Sequence, residues 1–165
     1  MARPTTTQPL IPSIVDRLID FEPEKSQETE KSRSQVIKEL RESVRRDLEN
    51  LLNTRLPCME LSEDNIVLDG TVAYYGIPDF SGANLQSGEG RERFRLTIEN
   101  AIKHNETRFK TVSVELLDDV DDLDRSLHFR IDALLNVEPA VKPIVFDSSL
   151  EPVTRNFKVE DMGRE

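Results

Sequence analysis

The residues most able to do chemistry are acids: Glu99 and Glu106 flank the end of a helical stretch. Glycoside hydrolysis needs such a pair, one carboxyl as acid and the other as base or nucleophile across one bond. With 32 Asp and Glu in 165 residues, however, acid pairs arise by chance. Nothing near either residue in sequence would raise one pKa by burial, and the chain has no Trp and only 2 Tyr to stack on a sugar ring. No catalytic residue is therefore expected. The 2 histidines, His104 and His128, stand in no H-x-x-x-H or H-E-x-x-H arrangement, so no metal ligand is expected either. Cys58, the single cysteine, excludes an intramolecular disulfide and a thiolate cluster, and reads as a small apolar filler. The glycine-rich segment 82–90 precedes a helix but lacks the Lys-Ser/Thr ending of a phosphate-binding loop, so it reads as a flexible loop with no cofactor.

Two segments are less ordinary. In Tyr74-Tyr75-Gly76-Ile77-Pro78-Asp79-Phe80, Gly76 and Pro78 fix a turn while Tyr75, Ile77 and Phe80 are left to anchor it, either inside a packed connection or on a partner. In Asn105-Glu106-Thr107-Arg108 a charged pair sits at a helix-to-strand junction. Glu106 and Arg108 can pair with each other or with backbone groups, or the arginine can fork onto a partner's carboxylate or carbonyls.

These segments must be positioned by a small core. Hydrophobic residues make up 36% of the chain and charged residues 33%, with a net charge of −10. That balance argues against nucleic acid and anionic membrane surfaces, whose affinity comes from Lys and Arg, and hints at assembly with a protein partner. No apolar run is long enough to span a bilayer, no signal-peptide pattern opens the chain, and a cytoplasmic protein fits best. No internal repeat is evident. Residues 1–12, with Pro4, Pro9 and Pro12, read as a flexible tail, and 13–33 as a short helix followed by a charged linker. Residues 34–160 form a single domain, and 161–165 a second tail.

Within the domain, Val36, Ile37, Leu40, Val44, Leu48, Leu51 and Leu52 recur at steps of three and four, which predicts a helix over 34–53. Lys38, Glu42, Arg45, Glu49 and Asn53 fall on its opposite face, which is expected to be solvated. A short strand is expected at 66–68, and a second helix over 90–104 with Phe94, Ile98, Ala101 and Ile102 on one face. After Arg108 the period drops to two. Val112, Val114 and Leu116 predict one strand, and Leu127, Phe129, Ile131 and Ala133 another, with the acidic run 118–124 as the loop between them. Weaker strands are expected at 144–146 and 153–159. Helices first and hairpin-linked strands later imply an α+β domain with a small antiparallel sheet. Its last strand is expected to leave an open edge for main-chain pairing with a partner.

The order of these segments resembles the TssE family of type VI secretion baseplate subunits, relatives of the phage baseplate wedge subunit once labelled lysozyme-like. The resemblance is carried by SIVDRLID at 13–20, LRESVRRDLENLLNTR at 40–55, YYGIPDF at 74–80 and IENAIKHNETRF at 98–109, with the strand pair that follows. Where the family usually has Glu-Pro-Arg, this chain has Glu106-Thr107-Arg108, which relaxes the turn without removing either charge. The resemblance implies a sheath-initiator fold and a non-enzymatic structural protein of the cytoplasmic baseplate, assembled at the inner face of the cytoplasmic membrane. The implied partners are the wedge proteins TssF and TssG, the TssK complex, and the contractile TssB/TssC sheath. It also implies that Glu106 and Arg108 contact partners, and Tyr75, Gly76, Pro78 and Phe80 of the turn segment are taken with them as the expected partner-binding residues. A lysozyme-like peptidoglycan hydrolase and a soluble anti-adaptor that binds a regulator are the competing readings.

Overall fold

The computed structural model describes residues 15, 18, 24, 32–57, 71–80, 84–85, 87–117, 126–137, 140–151 and 154–163. The elements in chain order are α1 (Arg33–Asn53), a 3-10 turn (Val72–Tyr74), α2 (Gly88–Asn105), β1 (Phe109–Leu116), β2 (Leu127–Val137), β3 (Ala140–Leu150) and β4 (Phe157–Asp161). All four strands are antiparallel to their neighbours in one sheet of order β1-β2-β3-β4, so the domain is α+β. Val15 and Leu18 are helical and exposed. The remainder of the expected first helix, the tail 1–12, most of the linker, Cys58, the expected strand at 66–68, the acidic run 118–124 and residues 82, 83 and 86 of the glycine-rich segment lie outside the described residues.

The sheet exists because β2 alternates without a fault: Leu127, Phe129, Ile131, Ala133, Leu135 and Val137 are all buried. Register then puts Ile144, Phe146, Ser148 and Leu150 of β3 beside them on the same face. Val112 and Val114 of β1 extend that face at one side, and Phe157 and Val159 of β4 at the other. Helices α1 and α2 cover it with Val44, Leu48, Leu51, Leu52, Phe94, Ile98 and Ile102. Phe94 lies at the centre, with ring centroids 4.9 Å from Phe80, 6.1 Å from Phe129 and 6.3 Å from Phe157. Each such ring buried in place of water contact contributes about 1.5–3 kcal/mol, so this cluster fixes where the helices sit.

Both helices begin on serine caps. Ser32 and Gln35 form a reciprocal capping box for α1. The Ser87 hydroxyl accepts the Gly90 N–H for α2, so the end of the expected glycine loop is already helix. Only a glycine fits at position 90, where a Cβ would stand 2.0 Å from the Asn84 carbonyl oxygen.

Three expectations change. First, β3 is an 11-residue strand running through Pro143, far longer than the 144–146 expected. Proline is tolerated there because β4 pairs only with Phe146–Leu150, leaving β3 with one strand neighbour at position 143. Second, the polar face of α1 is not simply solvated. Asn53 donates to the Phe157 carbonyl at 2.9 Å and accepts the Phe157 N–H at 2.8 Å, while Arg45 reaches the Val159 carbonyl at 3.2 Å. Arg41 pairs with Asp161, the last residue of β4, at 2.6 Å. Third, the edge of β4 expected to stand open is therefore held by α1 at Phe157 and Val159. Sequence periodicity missed this because a polar side chain directed at a strand backbone scores like one directed at water.

Leu48, fully buried between Val44, Leu51 and Leu52, tests which face of α1 carries the core. Leu48→Asp buries an unpaired charge at a cost of ~3–5 kcal/mol, comparable with the ~5–15 kcal/mol that holds a whole domain together, and is expected to unfold it. Lys38→Ala, on the exposed side, should leave the melting temperature unchanged. Equal melting of Leu48→Asp and the parent chain would show that the core lies elsewhere.

Candidate interaction site

Helix α2 ends at Asn105, and Glu106 leaves helical geometry at φ −103° and ψ 86° while its N–H still donates to the Ile102 carbonyl at 2.8 Å. This backbone turns the Glu106 side chain inward, where it is 7% exposed. Arg108, two residues on, meets it with a fork: Nε donates to Oε1 at 2.7 Å and Nη2 to Oε2 at 2.5 Å, while the Arg108 backbone N–H donates to the same carboxylate at 3.1 Å. The guanidinium then crosses to α1. Nη2 donates to Asp47 Oδ2 at 2.6 Å and Nη1 to the buried Ser43 hydroxyl at 3.2 Å. The Arg108 carbonyl accepts the Asn136 N–H at 2.8 Å, which ties the same corner to β2.

Burial opposes the Arg108 charge, but the bonds and attraction from Glu106 and Asp47 outweigh it and hold the guanidinium above its ordinary pKa. Asp47 also has Arg46 within 3.8 Å, on its other carboxylate oxygen. Tyr75 stands beside the carboxylates with its hydroxyl pKa pushed up by burial first, then by Asp47 and Glu106, so it remains a neutral donor. These residues line a cleft of about 500 Å³ whose walls are Leu40, Leu48, Leu51, Tyr75, Asn105 and Thr107. The lining combines the apolar Leu40, Leu48 and Leu51 with the ionic Asp47, Glu106 and Arg108. Thr107 is exposed at this corner, in the place where the expected motif carries proline.

The other residues singled out in sequence are placed differently. Gly76 adopts φ 124°, and a Cβ there would stand 2.6 Å from the Thr54 carbonyl oxygen. That carbonyl accepts the Ile77 N–H at 2.9 Å, the Ile77 carbonyl accepts the Leu56 N–H at 2.9 Å, and Ile77 is fully buried. The turn thus docks against the end of α1, with Phe80 against Phe94. Of the segment 74–80, Tyr75 lines the cleft, whereas Pro78 is exposed. Sequence reasoning missed Ser43 and Asp47. The available signal was two short polar residues one helical turn apart, beside the apolar stripe at Val44 and Leu48.

Glu99 lies apart from the cleft's lining. It accepts from Arg95 at 2.7 Å, from Lys103, and from the Val114 backbone N–H at 3.2 Å. The Lys103 bond first, aided by Val114 and Arg95, holds its carboxyl below the usual glutamate value against the opposing effect of burial. His104 sits in the last turn of α2 and His128 on β2, and no group of three His, Cys, Asp or Glu among the described residues is placed to hold a metal ion.

Removing the Arg108 side chain would leave Glu106 buried without its counter-charge. Arg108→Ala is expected to lower unfolding stability by roughly 3 kcal/mol, and Arg108→Lys to restore less than half, because an ammonium cannot fork onto Glu106 while reaching Asp47. Urea unfolding measures both. An unchanged midpoint for Arg108→Ala would show that the network is not a strut.

Comparison with curated proteins and with solved structures finds no match. A family profile described as baseplate wedge protein gp25 matches residues 38–140, more than half of the chain and a span that includes most of α1, the turn at Gly76, α2, the Glu106–Arg108 corner and the first two strands. With that span matched, the chain belongs to the baseplate wedge protein gp25 family and is a structural component of a baseplate.

Proposed function

We propose that this baseplate component is the type VI secretion form of the family, a TssE-like subunit that joins the wedge through its cleft and initiates the contractile sheath. The observation that carries the reading is the corner at Glu106 and Arg108. It stands where the TssE-like segment IENAIKHNETRF ends, and it opens on a cleft lined by both apolar and ionic side chains. Such a surface takes an amphipathic segment of a protein partner, with the apolar side chains supplying affinity and the charges fixing orientation. On this reading the partners are TssF and TssG, with the TssK complex, and then TssB and TssC. The protein works in the cytoplasm. No helix among the described residues is long and apolar enough to cross a membrane, which is compatible with that location.

The same reading has no enzymatic step. A glycosidase acid must be held protonated near neutral pH, yet Glu99 is pushed the other way by Lys103. At the sheath end, Asn53 and Arg45 already bind the outward main-chain groups of β4. Docking of sheath subunits through side chains is accordingly favoured there over strand pairing along 154–159.

Thr107→Trp tests the cleft without touching the ion network, since Thr107 is exposed at its mouth. Loss of co-purification with TssF and TssG and of fluorescent sheaths in cells, at unchanged melting temperature, is expected. Full binding and normal sheaths would remove the cleft from the wedge interface. In zymograms on peptidoglycan the purified chain should produce no clearing, and clearing that vanishes in Glu99→Gln or Glu106→Gln would establish the hydrolase instead.

A further inference from the structure

The two helices carry the same charged triad at the same spacing. Glu42, Arg45 and Glu49 on α1 repeat as Glu92, Arg95 and Glu99 on α2. The geometry repeats as well. Arg45 donates through Nε at 2.9 Å and Nη2 at 2.7 Å to Glu42, and through Nη1 at 2.6 Å to Glu49. Arg95 makes the same three bonds, at 2.9 and 2.7 Å to Glu92 and 2.7 Å to Glu99. Carboxylates three residues before and four after the arginine leave its fork one free direction, sideways off the helix. In both cases Nη1 uses it on a strand carbonyl, Val159 of β4 at 3.2 Å and Val114 of β1 at 3.3 Å.

Those two strands are the edges of the sheet. Along an antiparallel edge, alternate residues turn both N–H and C=O outward, and an unpaired row of this kind is a template for another strand. Val114 is such a residue: its N–H donates to Glu99 at 3.2 Å while its carbonyl takes Arg95. Phe157 is its counterpart on β4, with N–H and C=O both bound by Asn53. Arg91 adds a longer bond to the Leu117 carbonyl at 3.4 Å, and Arg41 holds Asp161 at the far end of β4. Each helix thus satisfies edge groups with side chains, as a neighbouring strand would with its backbone.

We propose that the paired triads, with Asn53, are edge guards that keep the free chain from pairing edge to edge with a second copy of itself. Each edge, 8 residues in β1 and 5 in β4, is a template that an identical chain carries as well, so the copy is the strand source always present at matching concentration. The proposal stands on these contacts alone and does not depend on the baseplate reading.

Residue-resolved amide exchange on the full chain tests it. In the parent protein the Val114 and Phe157 amides should be protected although no strand among the described residues faces them. Glu99→Ala should speed exchange at Val114 by roughly 10-fold or more, leaving Ser113 and Glu115, which face β2, unchanged; Asn53→Ala should do the same at Phe157 and spare Lys158. By sedimentation, Asn53→Ala/Glu99→Ala should associate with rising concentration where the parent and Lys103→Ala remain monomeric. Free-peptide exchange rates at Val114 and Phe157 in the parent chain would overturn the proposal, and they decide it even if the double variant fails to fold. A folded double variant that stays monomeric would overturn it equally.

Discussion

Everything in this domain depends on a sheet that has only one apolar face. The buried positions of β2 alternate with His128, Arg130, Asp132 and Leu134, which are half-buried at most, so helices can be recruited to one side only. On the other side Arg130 pairs with Asp147 of β3 at 2.9 Å, in the row that register continues to Glu115 on β1 and Glu160 on β4. A chain with 36% hydrophobic residues cannot cover both faces. Among the described residues, α1 and α2 over four strands is the arrangement that one apolar face supports, and Phe94 packs among Phe80, Phe129 and Phe157 there.

A one-sided core leaves the joints between elements to polar side chains. Arg108 is the clearest case, since a single guanidinium holds the end of α2, the start of β1 and the middle of α1. Its charge would be costly to bury alone, and the two carboxylates and the Ser43 hydroxyl remove that cost only when all elements are in place. The network therefore reports on correct assembly of the fold more than it adds to its stability. Thr107 in place of proline is consistent with this division: Glu106 already sits outside the helical region that a following proline would forbid, so the turn is set by the ion network and not by ring geometry.

The same corner is both strut and surface. Ser43 and Glu106 are buried and internal, whereas Thr107 is exposed and Tyr75 half-exposed beside them. The ion network fixes Asp47, Glu106 and Arg108 beside Leu40, Leu48 and Leu51, so the cleft they line is held by internal contacts. Membership of the baseplate wedge protein gp25 family accords with a structural subunit whose elements are joined by polar side chains.

The sequence alone determined the periodic elements, because a period of 3.6 or 2 reflects burial on one side, which is a local pattern. The helix over 34–53 emerges as Arg33–Asn53 and the strand at 127–133 as Leu127–Val137. It also marked Glu106 and Arg108 as a charged corner, and Gly76 as a turn. Only the tertiary structure decided where the polar groups point. That Arg108 reaches Asp47 and Ser43, that Asn53 binds β4, and that the Glu42 and Glu92 triads guard opposite edges are contacts between residues far apart in the chain, and a polar side chain carries no periodic signature of its partner. The length of β3 was hidden for a related reason. Pro143 signals a strand end when read locally, and only the short reach of β4 makes its missing N–H harmless.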